Sequence, residues 1–254
     1  MWGRRTRVAV RQFRRASTGG RLVYAVGDVH GRADLMRGLI QAITEDARET
    51  AAPERPLLVM LGDYIDRGAD SRGVIDLILA LRSADMFEIR CLKGNHEQAL
   101  LEFMRRPDIG ASWLVHGGRP TLSSYGVASN AATTEDWTRV RDALAIALPP
   151  EHLAFFSTLE LSITLGDYLF VHAGVRPGVP LDAQSERDLL WIRADFLGGT
   201  SLFDKVVVHG HTPAEAPLGD GRRIGVDTGA YATGILTAAR LCGEEQSFIQ
   251  HQRC

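Results

Sequence analysis

The chain has 254 residues, 45% of them hydrophobic, which is enough for one full core, and no apolar run approaches the roughly 18 residues a membrane span requires. Cys91, Cys242 and Cys254 are too few and too far apart for a disulfide framework or a zinc ribbon, so a reducing, cytoplasmic setting is expected. The formal charge of −2 hides an asymmetry: the first 21 residues carry seven arginines and no acid, leaving the remainder at −9.

Residues 1–20 are read as a basic, disordered arm without the apolar stretch of a secretory signal. It suits a solvated tail, a contact with an acidic partner, a nucleic acid or a membrane surface, or a transit-peptide-like segment. Residues 21–254 are read as one domain. Arginine, with 27 copies against 2 of lysine, suggests a GC-rich, bacterial coding sequence. The short apolar runs at 22–26, 57–61 and 87–92 read as strands, with Cys91 buried in the third. A helix starting near Asp34 carries Leu35, Leu39, Ile40 and Ile43 on one face. A second starts near Ser71 with Val74, Ile75, Ile78 and Leu79, and a third runs from His96 to about Met104, ended by Pro107. This alternation is a βαβαβ unit and predicts a parallel sheet.

Residues 105–150 break the alternation and read as a helical insert beside the site, with a helix from about Thr134 to Leu148 stopped by Pro149 and Pro150. Short strands then follow at 159–164, 168–172, 205–209, 223–227 and 234–240, which predict a second sheet packed on the first. The expected fold is therefore α/β, a two-sheet sandwich.

Between each early strand and its helix lies a polar island: Gly27-Asp28-Val29-His30-Gly31, then Gly62-Asp63-Tyr64-Ile65-Asp66-Arg67-Gly68, then Gly94-Asn95-His96-Glu97. Loops leaving the carboxyl ends of parallel strands are where α/β folds place their sites. Asp and Asn oxygens with imidazoles suit a pair of divalent ions, one carboxylate spanning both, and such a pair hydrolyses phosphate esters. Asp28 and His30, two residues apart, can point the same way as the chain leaves its strand.

In this order and spacing the islands resemble the metal-dependent phosphoprotein phosphatases of the calcineurin-like metallophosphoesterase superfamily, in their bacterial serine/threonine form. The resemblance continues through Val171-His172-Ala173-Gly174, Leu190-Trp191-Ile192-Arg193 and His209-Gly210-His211-Thr212-Pro213, and covers residues 22 to about 230. It implies that Asp28, His30 and Asp63 hold one metal and that Asp63, Asn95, His172 and His211 hold the other. It further implies His96 as the acid for the leaving alkoxide, oriented by Asp66, with Arg67 and Arg193 clamping the phosphate. Attack would be direct and in line, by a hydroxide bridging the ions. Manganese is expected by family habit; the ligand set also suits iron or zinc.

The expected substrate is phosphoserine or phosphothreonine, and also phosphotyrosine, on a phosphoprotein or phosphopeptide. The alternative is symmetrical diadenosine tetraphosphate hydrolysis, in which Trp113, Tyr125 and Trp137 of the insert would stack the dinucleotide. A nuclease is disfavoured: the Gly-His-x-His pattern of related phosphodiesterases would put a second histidine where Pro213 stands, so His209 is expected to lie behind the ligands. A non-catalytic module is disfavoured because every expected ligand is intact. His116, His152 and His251 read as structural or solvated, Asp227 as either a support of the site or a turn cap, and Glu97 as a favourable helix start.

Overall fold

The computed structural model describes residues 8–9, 16–50, 52–129 and 136–253. The arm expected over residues 1–20 lies largely outside the described residues, as does Cys254. A two-residue strand, β1 (Val8–Ala9), precedes β2 (Leu22–Val26), α1 (Ala33–Glu49), β3 (Leu57–Met60), α2 (Ser71–Ser83), β4 (Glu88–Cys91) and α3 (Asn95–Arg105). Each helix has a local reason to start where it does. Asp34 sits in the first turn of α1 and Arg48 in its last, matching the helix dipole. The Asp70 side chain caps α2 by accepting from Gly73 N at 2.9 Å.

The helical region after α3 contains a turn at Pro107–Ile109, α4 (Gly110–Trp113), a looser turn at Leu114–Gly118, α5 (Arg119–Ser124), α6 (Trp137–Ala147) and α7 (Pro150–Ser157). The helix expected from Thr134 begins at Trp137 because Asp136 caps it, accepting from Arg139 N at 3.1 Å. Pro149 ends α6, but Pro150 opens α7, where a missing N–H costs nothing. The remaining elements are β5 (Ser162–Leu165), β6 (Tyr168–Val171), α8 (Glu186–Trp191), α9 (Ala194–Leu197), β7 (Val206–His209), β8 (Leu218–Gly219), β9 (Arg223–Gly225), α10 (Ala230–Thr233), β10 (Ile235–Cys242) and β11 (Glu245–Gln252).

Two sheets result, ordered β1-β11-β10-β2-β3-β4 and β5-β6-β7-β9-β8. Alternation along β2 explains the sandwich. Leu22, Tyr24 and Val26 face α1 and α2, among Leu35, Leu39, Ile43, Val74 and Ile78. Val23 and Ala25 face the second sheet, among Tyr168, Phe170, Val206 and Val208. Each such fully buried aliphatic side chain contributes roughly 1.5–3 kcal/mol.

One strand changes sheet relative to expectation. Residues 234–240 are expected in the second sheet, but β10 pairs antiparallel with β2 in the first, Ala239 opposite Ala25. Its residues are apolar toward both layers, so hydrophobicity alone does not say which sheet it joins. The strand expected from Leu159 starts at Ser162, and β8 and the largely polar strand β11 had no expectation at all. Cys91 is buried and, like Cys242, free. Among the described residues no helix is long and apolar enough to cross a membrane.

Candidate metal centre

Strands β2, β3 and β4 run parallel with Val26 opposite Met60 and Met60 opposite Cys91, so their carboxyl ends are level and the three polar islands leave side by side. In the second sheet, β6 and β7 are also parallel, and His172 and His211 follow their carboxyl ends. Asp28, His30, Asp63, Asp66, Asn95, His96, His172 and His211 are all buried there.

Their backbones are held in a rare conformation. Among the described residues, the non-glycine positions with positive φ are His30, Asp63, Asp66, Arg67 and His211, and every one belongs to this site. The surrounding hydrogen bonds over-determine them. Val29 N and His30 N donate to Asp63 O at 3.1 and 2.9 Å. The Glu97 carboxylate accepts from Gly94 N, Asp63 N and Tyr64 N at 2.9, 2.9 and 2.8 Å, and so ties the second island to the third. Arg67 N donates to Gly117 O at 2.9 Å, and His211 N to both Asp28 oxygens at 3.1 Å. Gly62, at φ 103°, must be glycine: a Cβ there would lie 2.7 Å from Gly94 N and 2.9 Å from His172 Nδ1.

Two groups of potential ligands share Asp63: His30, Asp63 and His96, and Asp63, His172 and His211. Burial lowers the pKa of His30 to about 3 and of His211 to about 2, and lowers that of His172, so these imidazoles are neutral. His30 Nδ1 lies 2.9 Å from Ile65 O and His172 Nδ1 2.9 Å from Leu61 O, contacts that place the ring proton on Nδ1. Each Nε2 then presents a lone pair to Asp63, at 3.6 and 3.5 Å. Asn95 Oδ1 is likewise faced by His172 Nε2 at 2.9 Å and His211 Nδ1 at 2.8 Å. The lone pairs of His30 and His172 Nε2 that converge on carboxylate and amide oxygens, with a buried His211 Nε2 left without a partner, fit cations, and the mixed O/N set fits divalent transition metals.

The carboxylates carry the complementary strain. Burial raises the pKa of Asp28 well above the usual range, and Asp227 and Asp63 add to the rise. Burial works against an ionised Asp63 too, yet the imidazoles of His172, His96 and His30 outweigh it and hold that carboxyl low. Burial, then Asp63, pushes Glu97 up to about 8, while burial brings Asp227 to about 6.

Within the first group, His96 Nδ1 contacts Asp66 Oδ2 at 2.7 Å. Burial opposes a charged His96, but Asp63 and Asp66 overcome it and raise its pKa. The insert reaches this pair: Trp113 Nε1 donates to Asp66 Oδ2 at 2.9 Å and Thr121 Oγ1 to Asp66 Oδ1 at 2.6 Å. Arg67 places NH2 3.2 Å from His96 Nε2 and its guanidinium 4.8 Å from the Tyr231 ring centroid. The Tyr231 ring also meets His30 edge-on at 5.4 Å. Arg67, exposed Arg193, Asn95, His96, His116 and Trp191 line one cleft of about 290 Å³.

All ten expected site residues are thus brought to one end of the sandwich, eight buried and the two arginines in the cleft wall. Of the aromatics expected to stack a dinucleotide, Trp113 lines this cleft, whereas Tyr125 and Trp137 are not among its lining residues. Trp113 and Tyr125 are 2% and 4% exposed, and half-buried Trp137 packs on Gly110. Tyr125 OH instead lies 2.8 Å from His152 Nδ1, and His152 Nε2 contacts Asp76 at 3.0 Å, a structural role. His116 is exposed and His251 packs on Gly38. His209 Nε2 lies 3.1 Å from Arg223 NH1, with its ring against Phe196, outside both ligand groups. Asp227 caps its turn, accepting from Gly229 N at 2.8 Å. Sequence reasoning missed Tyr231, Thr121 and the clamp made by Glu97; only Glu97, three residues after Gly94, had a signal, as a helix-start pattern.

Comparison with known proteins agrees with this geometry. The model of the calcineurin-like phosphoesterase family matches residues 22–240. Serine/threonine-protein phosphatase 1 of Salmonella typhimurium is 31% identical over 227 residues, 87% of this chain and 92% of that one. An asymmetrical bis(5'-nucleosyl)-tetraphosphatase of Geobacillus thermodenitrificans is 25% identical, covering 85% and 88%. Among solved structures, the cold-active protein-tyrosine phosphatase of a psychrophilic Shewanella superposes with a TM-score of 0.54 at 17% identity, covering 92% and 83%, a likeness of fold. With its two ligand groups joined at Asp63 and its family match spanning most of its length, the chain belongs to the calcineurin-like phosphoesterase family and is a metal-dependent phosphoric ester hydrolase.

Proposed function

We propose that this enzyme removes phosphate from phosphoserine and phosphothreonine, and also phosphotyrosine, in proteins, using two manganese ions. Asp28, His30 and Asp63 would hold one ion and Asp63, Asn95, His172 and His211 the other, with His96, which also lies in ligand reach of the first group, kept as the acid. When bound, such a pair neutralises the phosphoryl oxygens and makes water acidic enough to supply a nucleophile near neutral pH. The protein's own groups do the rest. Arg67 and Arg193, on the cleft wall, hold the phosphate by paired N–H groups and turn it toward Asp63. His96, kept protonated by Asp63 and Asp66, donates from Nε2 to the departing seryl or threonyl oxygen; Asp66 holds Nδ1 and fixes the ring.

The observation that carries this reading is geometric: two ligand groups share Asp63, and His96, held through Nδ1 by Asp66 at 2.7 Å, places its Nε2 3.9 Å from that carboxylate. A monoester with a poor leaving group needs both. The phosphoprotein substrate is supported by the 31% identity to a protein phosphatase over most of both chains. The dinucleotide alternative is weakened by the burial of Tyr125, which pairs with His152 away from the cleft that Trp113 lines. The test is kcat/KM of the manganese-loaded enzyme on a phosphothreonine peptide and on diadenosine tetraphosphate. The peptide is expected to be the better substrate; a preference for the dinucleotide would overturn the assignment.

A further inference from the structure

We infer that α8 carries a second recognition element, in which Arg187, beside the exposed face of Trp191, binds an acidic residue of the substrate next to the phosphorylated one. The inference rests on the phosphoprotein reading and adds a specificity to it.

Trp191 is 46% exposed, unusual for the largest apolar side chain, and its placement is fixed. Its Nε1 donates to Gln98 Oε1 at 2.6 Å, and its ring stands edge-on to His211 with centroids 6.4 Å apart. It lines the cleft that holds Asn95, His96, Arg67 and Arg193. It also lines two adjoining clefts of about 510 and 260 Å³, both of which include Arg187. Trp191 is therefore the shelf between the reaction centre and its surroundings. A chain whose phosphate reaches the metals and continues toward α8 must cross it.

Charge then selects the substrate residue that lands beyond the shelf. Each acid on this wall already has a partner: Glu186 pairs with Lys93 at 3.1 Å, and Arg176 pairs with Asp188 at 2.6 Å and Asp195 at 3.0 Å. Neither Arg187 nor Arg193 has a side-chain hydrogen bond or a salt bridge among the described residues; Arg187 feels only the charge of Asp188, whose carboxylate Arg176 already holds by two hydrogen bonds. Arg193 faces the phosphate, which leaves Arg187 as the free cation among the described residues of this wall. Arg187 and Trp191 are four residues apart on one helix, so they share a face with Cβ atoms about 5–6 Å apart. One residue of an extended peptide spans roughly 3.3–3.6 Å, so a side chain next to the phosphoresidue that lies on the indole can reach that guanidinium. In a molecule of net charge −2, an unpaired arginine at this point is a local attraction for a carboxylate.

The test uses the manganese-loaded full chain and pairs of phosphothreonine peptides identical except for Glu or Ala beside the phosphothreonine, on either side. The ratio of the two kcat/KM values is read within each variant, so a general change in activity cancels. Wild type is expected to prefer Glu by about fivefold on one side, the scale of an exposed ion pair, and less at high salt. Arg187→Glu should turn that preference against Glu, and Arg187→Gln should abolish it. Equal values in wild type, or a Glu preference unchanged in Arg187→Glu, would overturn the inference while leaving the phosphoprotein reading intact. Failure to hydrolyse any peptide while an aryl phosphate is still turned over would overturn both.

Discussion

At the scale of single residues, the site spends its strain on orientation. Asp66 and Arg67 adopt left-handed conformations back to back, φ 70° and 66°, which sends their side chains to opposite tasks. Asp66 turns inward to His96, Trp113 and Thr121, while Arg67 turns outward onto Tyr231. The assignment of His96 as the acid has a signature. Because an alkoxide needs a proton far more than a phenolate does, His96→Asn should slow hydrolysis of an alkyl phosphate by about 100-fold or more, within the usual range for general acids, and an activated aryl phosphate much less. Metal content should be unchanged. Equal slowing of both substrates, read as kcat, would argue against a leaving-group acid.

At the scale of elements, the sequence was legible where a loop chemistry and a strand period coincide. β2 and β3 are short and fully apolar, and each of the three strands, β4 included, leads within three residues into a glycine followed by a ligand, so the parallel core and the metal ligands could be read together. Gly234 marked the start of β10 equally well, but its sheet depends on pairing with β2, a contact separated by some two hundred residues that no local pattern encodes. Strand β11, between β1 and β10, was invisible because only Phe248 and Ile249 of its eight residues are buried apolar side chains, too few to show a strand period. The insert is expected from sequence as a wall around the entrance. Trp113 and Thr121 show that it also holds the carboxylate behind the acid, and aromatic residues in a sequence give no hint of whether a ring faces solvent or a buried Asp.

At the scale of the whole molecule, the metal centre is a store of like charge between two sheets. Asp28, Glu97 and Asp227 all have pKa values raised above their unfolded ones, to about 8 for Glu97 and about 6 for Asp227, chiefly by burial. Raised carboxyl groups hold protons in the folded state that the unfolded state has already lost. Buried His30, His172, His209 and His211, whose pKa values are lowered, favour folding more as pH rises to their unfolded value near 6.5, so the carboxyl groups decide the slope only above it. Between about pH 7 and pH 8 the stability of the metal-free protein should fall. Asp63 runs the other way, but its contribution is complete before that window opens. Divalent ions favour the ionised forms, so manganese should raise the melting temperature most at the alkaline end. Melting curves of chelator-treated protein between about pH 7 and pH 8, with and without manganese, check this; a metal-free melting temperature that climbs with pH across that window would contradict it.

The central claim is that one carboxylate, Asp63, joins two metal ions, since both ligand groups contain it. It is tested most directly by measuring manganese bound per chain, alongside phosphatase turnover, in the wild type and in Asp63→Asn. The wild type should carry two ions and turn over fully, and the variant should be a folded protein that retains neither the pair of ions nor the activity. An Asp63→Asn protein with two bound ions and near-normal turnover would contradict the claim.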